Sequence, residues 1–139
     1  MDVVLDANVL FRILISQGDI LDLIFNNSLK LYAPERLKEE FLNNKEEIVE
    51  KSKLSEESFN KLTLLVFKCI EFVPIEKYEK FLPKAKQFLG KHAKDEDFIA
   101  LCLAKGIKVW TYEKLLFDIG FGISTKQIAE ELYKESSNE

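Results

Sequence analysis

Histidine and cysteine are scarce in this sequence, which contains one histidine, His92, and two cysteines, Cys69 and Cys102. A single histidine excludes a mechanism that uses two histidines as general acid and base. The cysteines lie in helical apolar patterns and lack metal-binding spacing, so they are expected to be buried free thiols. Free thiols are typical of a reducing compartment, and we therefore expect a cytoplasmic protein.

Long apolar runs and an excess of positive charge are also missing. The longest uninterrupted apolar run, residues 98–104, is far too short to span a bilayer. No signal peptide is expected, because the N-terminus enters a strand directly. The net charge of −4 indicates no general affinity for nucleic acid, although it is compatible with a local basic patch.

What the sequence does contain is the composition of a soluble globular domain. Hydrophobic residues make up 47% and charged residues 32% of the 139 positions. This length suits one domain with a proper core. We expect that domain to cover residues 1–134, followed by a frayed tail at 135–139.

The segment DVVLDANVL, residues 2–10, predicts a buried strand followed directly by a helix. The apolar run of residues 3–5 fits a strand of a parallel sheet, and Asp6 ends it. Asn8 is the expected N-cap of the helix. Asp6 would then lie at the carboxyl end of a strand, where open α/β sheets bind ligands. The alternative is that Asp6 only accepts hydrogen bonds from the next helix.

Strands alternate with helices along the rest of the chain, which predicts an α/β/α sandwich around a parallel sheet. The other strands are expected at 29–33, 71–75 and 107–111, with a stub at Ile123. Predicted helices include one from Pro34 to about residue 50, one over 76–89 that is interrupted at Pro83, one over 95–105 ended by Gly106, and a last one to about Lys134.

Three further acids occupy positions that bring them towards the same edge of the sheet. Glu40 flanks the apolar stripe of its helix, Asp95 begins the helix 95–105, and Glu113 lies just past the fourth strand. Each has a structural alternative: a solvated boundary residue, an acid at a helix N-terminus, and a first-turn acid, respectively. The edge that they share with Asp6 favours a functional site. Carboxylates without histidine or cysteine nearby suit Mg²⁺ or Mn²⁺.

A helical wheel separates two acids of the same turn. Asp95 projects on the side of Ile99 and Cys102, while Asp97 points nearly opposite. Like charges in one turn repel, so a nearby cation would relieve them. We expect Asp95 to meet this cation and Asp97 to be a supporting polar residue.

Three segments resemble the PIN domain family of metal-dependent nucleases, which includes toxin–antitoxin ribonucleases and RNA-processing enzymes. They are VVLDANVL near the start, ERLKEEF in the early helix and DEDFIALCLAKGIKVWTYEKLLF in the second half. The resemblance covers nearly the whole chain. The last segment is the most specific, because it joins an acid, an apolar helix, a glycine, a strand and Thr111 to a further acid.

The resemblance implies a function, a fold and a set of site residues. The function is hydrolysis of RNA by an endoribonuclease with one or two Mg²⁺ or Mn²⁺ ions, with a cognate antitoxin as a partner if the chain is a toxin. The fold is a five-stranded parallel sheet between helices, commonly in a homodimer. The implied catalytic and metal-binding positions are Asp6, Glu40, Asp95 and Glu113, supported by Asn8 and Thr111. The family more often has aspartate where this chain has Glu113, whose longer side chain can ligate a metal directly or through water.

A lysine-rich segment leads directly into Asp95. Residues 77–94 contain six lysines and one glutamate, a charge of +5 in a chain whose net charge is −4. The segment could guide a phosphate backbone towards the metal. The candidate nucleic-acid-binding residues are Lys84, Lys86, Lys91 and Lys94. The alternative is a solvated helix face.

Two other functions remain open at this stage. A haloacid-dehalogenase-type phosphatase would use Asp6 as nucleophile, but Asn8 stands where its general acid should be. A PIN-like scaffold would bind RNA or protein without cutting. Metal-dependent cleavage of RNA, hydrolysis of a small phosphoester, or neither would distinguish the three.

Overall fold

The structure is a computed structural model that describes residues 1–137. Its five strands are β1 (Asp2–Leu5), β2 (Lys30–Pro34), β3 (Ile70–Val73), β4 (Lys108–Trp110) and β5 (Gly122–Ile123). All neighbouring strands pair in parallel, in the order β3-β2-β1-β4-β5. The predicted five-stranded parallel sheet is confirmed.

The helices fill the connections between the strands. They are α1 (Ala7–Ser16), α2 (Asp19–Ile24), α3 (Arg36–Ser52), α4 (Glu56–Lys68), α5 (Leu82–Leu89), α6 (Glu96–Lys105), α7 (Lys114–Asp118) and α8 (Thr125–Ser137). Short 3-10 turns cover Ile75–Lys77, Glu79–Phe81 and Ala93–Asp95. Helices α1, α3 and α4 pack against one another, while α6 packs against α5 and lies on β1, β2 and β4. The two groups give the predicted three-layer α/β/α sandwich.

Strand β1 lies at the centre of the sheet because its apolar run can be buried on both faces. Val3, Val4 and Leu5 are all essentially inaccessible to solvent. Leu5 pairs with Trp110 of β4, and the N–H of Asp6 donates to the carbonyl of Trp110 at 3.1 Å. The carboxyl ends of these two strands are therefore level, and the residues that follow them meet at one edge.

Helix α6 is the most deeply buried helix of the site region. Phe98, Ile99 and Cys102 are buried within it, which matches the apolar run of the sequence. Gly106 ends the helix with a left-handed φ of 67°, and its N–H donates to the Cys102 carbonyl at 2.8 Å. The predicted glycine stop is confirmed.

Several predicted boundaries differ from the structure. Asp6, and not Asn8, is the N-cap residue of α1, because the helix begins at Ala7 directly after the strand. Pro34 ends β2 and does not begin the next helix. The helix predicted over 76–89 is two 3-10 turns followed by α5, since Pro83 suits only a first helical turn.

The C-terminal helix continues past Lys134 to Ser137. The remaining residues of the expected tail, 138–139, lie outside the described residues. Within residues 1–137, no helix combines the length and the hydropathy needed to cross a membrane.

Candidate functional site

The four predicted acids line one cleft at the carboxyl edge of the sheet. Asp6 follows β1, Glu113 follows β4, Asp95 immediately precedes α6, and Glu40 lies in the second turn of α3. The cleft has a volume of about 210 Å³. Its other lining residues are Ala7, Asn8, Arg36 and Lys94. Four segments distant in sequence thus contribute one acid each.

Asp6 is held by the neighbouring strand end. Its carboxylate accepts a hydrogen bond from the Thr111 hydroxyl at 2.7 Å, and both residues are buried. The same hydroxyl oxygen accepts from the Glu113 N–H at 3.0 Å. Burial raises the pKa of Asp6, the Thr111 hydrogen bond lowers it, and the charge of Glu113 raises it again. Thr111 therefore fixes the Asp6 side chain and the backbone that presents Glu113.

Asp95 is a buried acid with an unsatisfied oxygen. It is 5% exposed, and its Oδ2 has no hydrogen-bond partner among the described residues. Although it occupies the N-cap position of α6, its side chain makes no capping hydrogen bond within residues 1–137. Burial raises the pKa of Asp95 to about 7, with further contributions from the charges of Glu113 and Asp6 and from a side-chain hydrogen bond with Glu113. The capping alternative therefore does not account for this residue.

Glu113 is turned towards cationic and amide groups. Its Oε1 accepts a hydrogen bond from the Asn8 side-chain amide at 3.2 Å and lies 3.6 Å from the Lys94 ammonium. Asn8, on the first turn of α1, therefore orients an acid of the cleft. Lys94 reaches the same carboxylate from the turn before Asp95.

Glu40 is half-buried at the opposite rim of this acid set. Its Oε1 lies 3.9 Å from the Nε of Arg36, one helical turn earlier in α3. Burial raises the pKa of Glu40, and the charge of Arg36 lowers it. Glu40 is therefore not the solvated boundary residue of the structural alternative.

Asp97 does not line the cleft. It is 9% exposed, and its two carboxylate oxygens have separate partners. The Tyr78 hydroxyl donates to Oδ2 at 2.6 Å, and Nη1 of Arg36 donates to Oδ1 at 3.2 Å. These contacts were not predicted, because Tyr78 lies in the segment 76–89, whose pattern indicates a helix interrupted at Pro83.

Of the four candidate lysines, Lys94 lines the cleft. Lys86 lies 3.9 Å from Glu96 on α6, and Lys84 and Lys91 are exposed outside the cleft. The role of the lysine-rich segment in RNA binding stays a prediction. His92 is exposed beside this segment.

Arg36 is a residue of the cleft that was not predicted from the sequence. It lines the cleft together with the acids. One signal could have found it, since Arg36 precedes Glu40 by one helical turn and is one of two arginines in a chain rich in lysine. Residues at this spacing share one face of a helix.

The donor set of the cleft fits a hard divalent cation. It offers carboxylate oxygens without thiol or imidazole groups, and Asp95 Oδ2 is a buried acceptor without a partner among residues 1–137. Across the same residues, no group of three or more histidine, cysteine, aspartate or glutamate side chains is close enough to hold a metal as it stands. The two observations are compatible, because Mg²⁺ usually keeps several waters and uses one or two carboxylates. Ionised carboxylates also repel one another until a cation is bound.

Comparison with known proteins agrees with this arrangement. A family model described as PIN domain matches residues 4–134. PIN domains are generally nucleases, and the family generally uses divalent metals. No curated protein matches the chain. Since the family model covers nearly the whole chain, the protein belongs to the PIN domain family.

Proposed function

We propose that this protein is an endoribonuclease that hydrolyses RNA phosphodiester bonds with Mg²⁺ or Mn²⁺. The observation that carries the proposal is the buried Oδ2 of Asp95, which has no partner among residues 1–137 and lies in a cleft shared with three other acids. A buried carboxylate is costly unless a cation or donors compensate it. Asp95 and Asp6 would hold a divalent ion, which would compensate the buried charge and supply Lewis-acid chemistry for activating water and stabilising the leaving oxygen.

The chain's own residues divide the remaining work. Asp6 and Asp95, the most buried acids of the cleft, would hold the metal. Thr111 keeps the Asp6 carboxylate in one orientation through the 2.7 Å hydrogen bond. Glu113, oriented by Asn8 at 3.2 Å, would ligate directly or through water.

Glu40 and Lys94 complete the set at the rim of the cleft. Glu40 is half-buried with a raised pKa, so its Oε1 can accept a proton from an attacking water. Lys94 carries the positive charge that a phosphate backbone requires. A cytoplasmic location, expected from the two free cysteines, belongs to the same proposal, as do a homodimer and a cognate antitoxin, which the PIN resemblance implies.

The proposal is tested by incubating purified protein with end-labelled single-stranded RNA while Mg²⁺ or Mn²⁺ is titrated. Cleavage should depend on metal, should stop on chelation and should be lost in Asp6→Asn. Asp2→Asn is a matched control, because Asp2 is an exposed acid at the other end of β1. RNA cleavage that survives chelation, or that is normal in Asp6→Asn, would contradict the proposal. A DNA strand of the same sequence measures the preference for RNA.

A non-catalytic RNA- or protein-binding scaffold is the second candidate. The absence of a preformed three-ligand group among the described residues favours it, as does the pairing of Glu113 with Asn8 and Lys94. A scaffold would bind RNA without cutting it at any concentration of either metal. The match to the PIN family model disfavours the phosphatase alternative.

A further inference from the structure

Arg36 extends from the start of α3 to the rim of the acidic cleft. Its Nε lies 3.9 Å from Glu40, and its Nη1 donates to Asp97 at 3.2 Å. These contacts leave N–H donors of the guanidinium unused within residues 1–137. The side chain is 47% exposed, so the guanidinium is held in place while still open to an incoming group.

Asp97, which accepts the hydrogen bond of Arg36, is itself oriented by a second hydrogen bond. Asp97 receives the 2.6 Å hydrogen bond of Tyr78, whose side chain is 1% exposed. The 3-10 turns Ile75–Lys77 and Glu79–Phe81 bring Tyr78 against α6. The structure thus contains a hydrogen-bonded series that ends at the cleft. It consists of the buried Tyr78 hydroxyl, the buried Asp97 carboxylate and the half-exposed Arg36 guanidinium.

A contribution to folding stability does not by itself explain the hydrogen-bonded series of Tyr78, Asp97 and Arg36. Exposed ion pairs contribute little to folding, whereas burying a carboxylate and a hydroxyl is costly unless both are satisfied. The result of the arrangement is a guanidinium with a fixed direction beside the cleft. Arginine binds phosphate oxygens through a planar fork of donors, and a fork that is already oriented loses less entropy on binding.

We propose that Arg36 binds a phosphate of the substrate and that Asp97 and Tyr78 are positioning residues for its guanidinium. The inference rests on the proposed nuclease function, because it assigns the phosphate to an RNA strand. A cleft lined by four acids repels a polyanion, and Arg36 and Lys94 are the cations among its lining residues. Arg36 offsets this repulsion on the Glu40 side, and Lys94 does so on the Glu113 side.

The first test compares Arg36→Gln with Lys38→Gln. Both changes remove one positive charge from an exposed residue of α3, but Lys38 lies over the Phe72 ring and outside the cleft. The probe is fluorescein-labelled single-stranded RNA, with anisotropy measured in Ca²⁺ and kcat/KM measured in Mn²⁺. Arg36→Gln should weaken binding about 10- to 100-fold, the range for hydrogen bonds to charged groups. Lys38→Gln should change binding less than about twofold. Equal losses in both variants would overturn the inference.

The second test separates positioning from a general structural role. Tyr78→Phe keeps the ring and removes the hydroxyl that holds Asp97. It should weaken RNA binding several-fold in the otherwise wild-type protein and have no further effect in the Arg36→Gln background. Arg36→Lys should restore only part of the affinity, because lysine lacks the fork. An equal effect of Tyr78→Phe in both backgrounds would mean that Tyr78 does not act through Arg36.

The outcomes separate this inference from the proposed function. If wild-type protein cleaves RNA and Arg36→Gln leaves both affinity and kcat/KM unchanged, the inference alone fails. If wild-type protein binds RNA without cleaving it, the nuclease proposal fails, and the affinity of Arg36→Gln still decides the role of Arg36. If wild-type protein neither binds nor cleaves RNA, both fail.

Discussion

Asp95 and Asp97 are the same residue type two positions apart at the start of one helix, yet their surroundings are opposite. Both are buried, at 5% and 9% exposure. Asp97 has a partner for each oxygen, whereas Asp95 has an oxygen without a partner among residues 1–137. The pair shows that burial of an acid does not identify a metal ligand. The two acids differ in the missing donor, because a buried carboxylate without a partner is costly unless a cation compensates it.

The largest expected effect is the loss of activity in Asp95→Asn. The change keeps size and removes the charge that a metal requires, so RNA cleavage should fall more than about 100-fold. At pH 8, where Asp95 is ionised in the metal-free protein, the variant should be at least as stable as wild type, because the substitution removes repulsion with Glu113 and Asp6. Cleavage rates in Mn²⁺ and thermal unfolding with chelator measure the two parts. Near-normal cleavage would remove Asp95 from the metal site.

Asp97→Asn should give the reverse pattern. An amide cannot accept both the Tyr78 and the Arg36 hydrogen bonds, so the variant should lose about 1–3 kcal/mol in the free energy of unfolding. Activity should fall less than about tenfold when Arg36 loses its support but the metal site is intact. Urea denaturation and the cleavage assay give the two values. A larger loss of activity than in Asp95→Asn would reverse the roles of the two residues.

The pH dependence of stability should distinguish Asp95 from ordinary acids. Its pKa in the folded protein is raised from 3.8 to about 7, so the folded state keeps a proton that the unfolded state has released. In metal-free protein, this stabilising contribution is complete below the unfolded pKa and is lost as pH rises through about 7. The Tm of the wild-type protein should therefore fall as the pH rises from 3.8 to about 7. The Tm of Asp95→Asn should fall less over the same range.

Metal reverses this trend, because ligation requires the ionised carboxylate. The increase in Tm on adding Mn²⁺ should be larger at pH 8 than at pH 6 in wild type and absent at both in Asp95→Asn. An equal increase in Tm at both pH values would show that metal binding does not depend on the ionisation of Asp95.

The smallest expected effect is that of removing the Lys94 charge, which lies next to Asp95 in the sequence. Lys94→Gln should weaken binding of single-stranded RNA and reduce its salt slope by about 0.7, the value for one phosphate contact. Lys84→Gln is the matched control, because Lys84 is exposed outside the cleft. Anisotropy titrations at several salt concentrations provide the slopes. Equal slopes in the two variants would show that the lysine-rich segment acts only through its overall charge.

The sequence was sufficient to predict elements whose local pattern of apolar residues and glycine favours one secondary structure. Residues 3–5 fitted a buried strand better than a helix, and Gly106 was predicted to end the apolar helix before it. Asp6 and Glu113 come together because parallel neighbouring strands end at one edge, which is a property of topology.

What the sequence could not provide depends on contacts between distant segments. Tyr78 and Asp97 are 19 positions apart, and Arg36 and Asp97 are 61 positions apart. No periodicity relates such residues, and the 3-10 turns that bring Tyr78 to α6 were interpreted as a helix. The wheel separated Asp95 from Asp97 but could not tell which of them has partners.

The most direct test of the metal site is a crystal of this protein soaked in Mn²⁺ and measured at the manganese absorption edge. An anomalous peak should lie about 2.1 Å from Oδ2 of Asp95, with Asp6 as the second nearest acid. No peak should lie on the Asp97 carboxylate. A manganese ion bound by Asp97, or no ion near Asp95 at millimolar metal, would contradict the account.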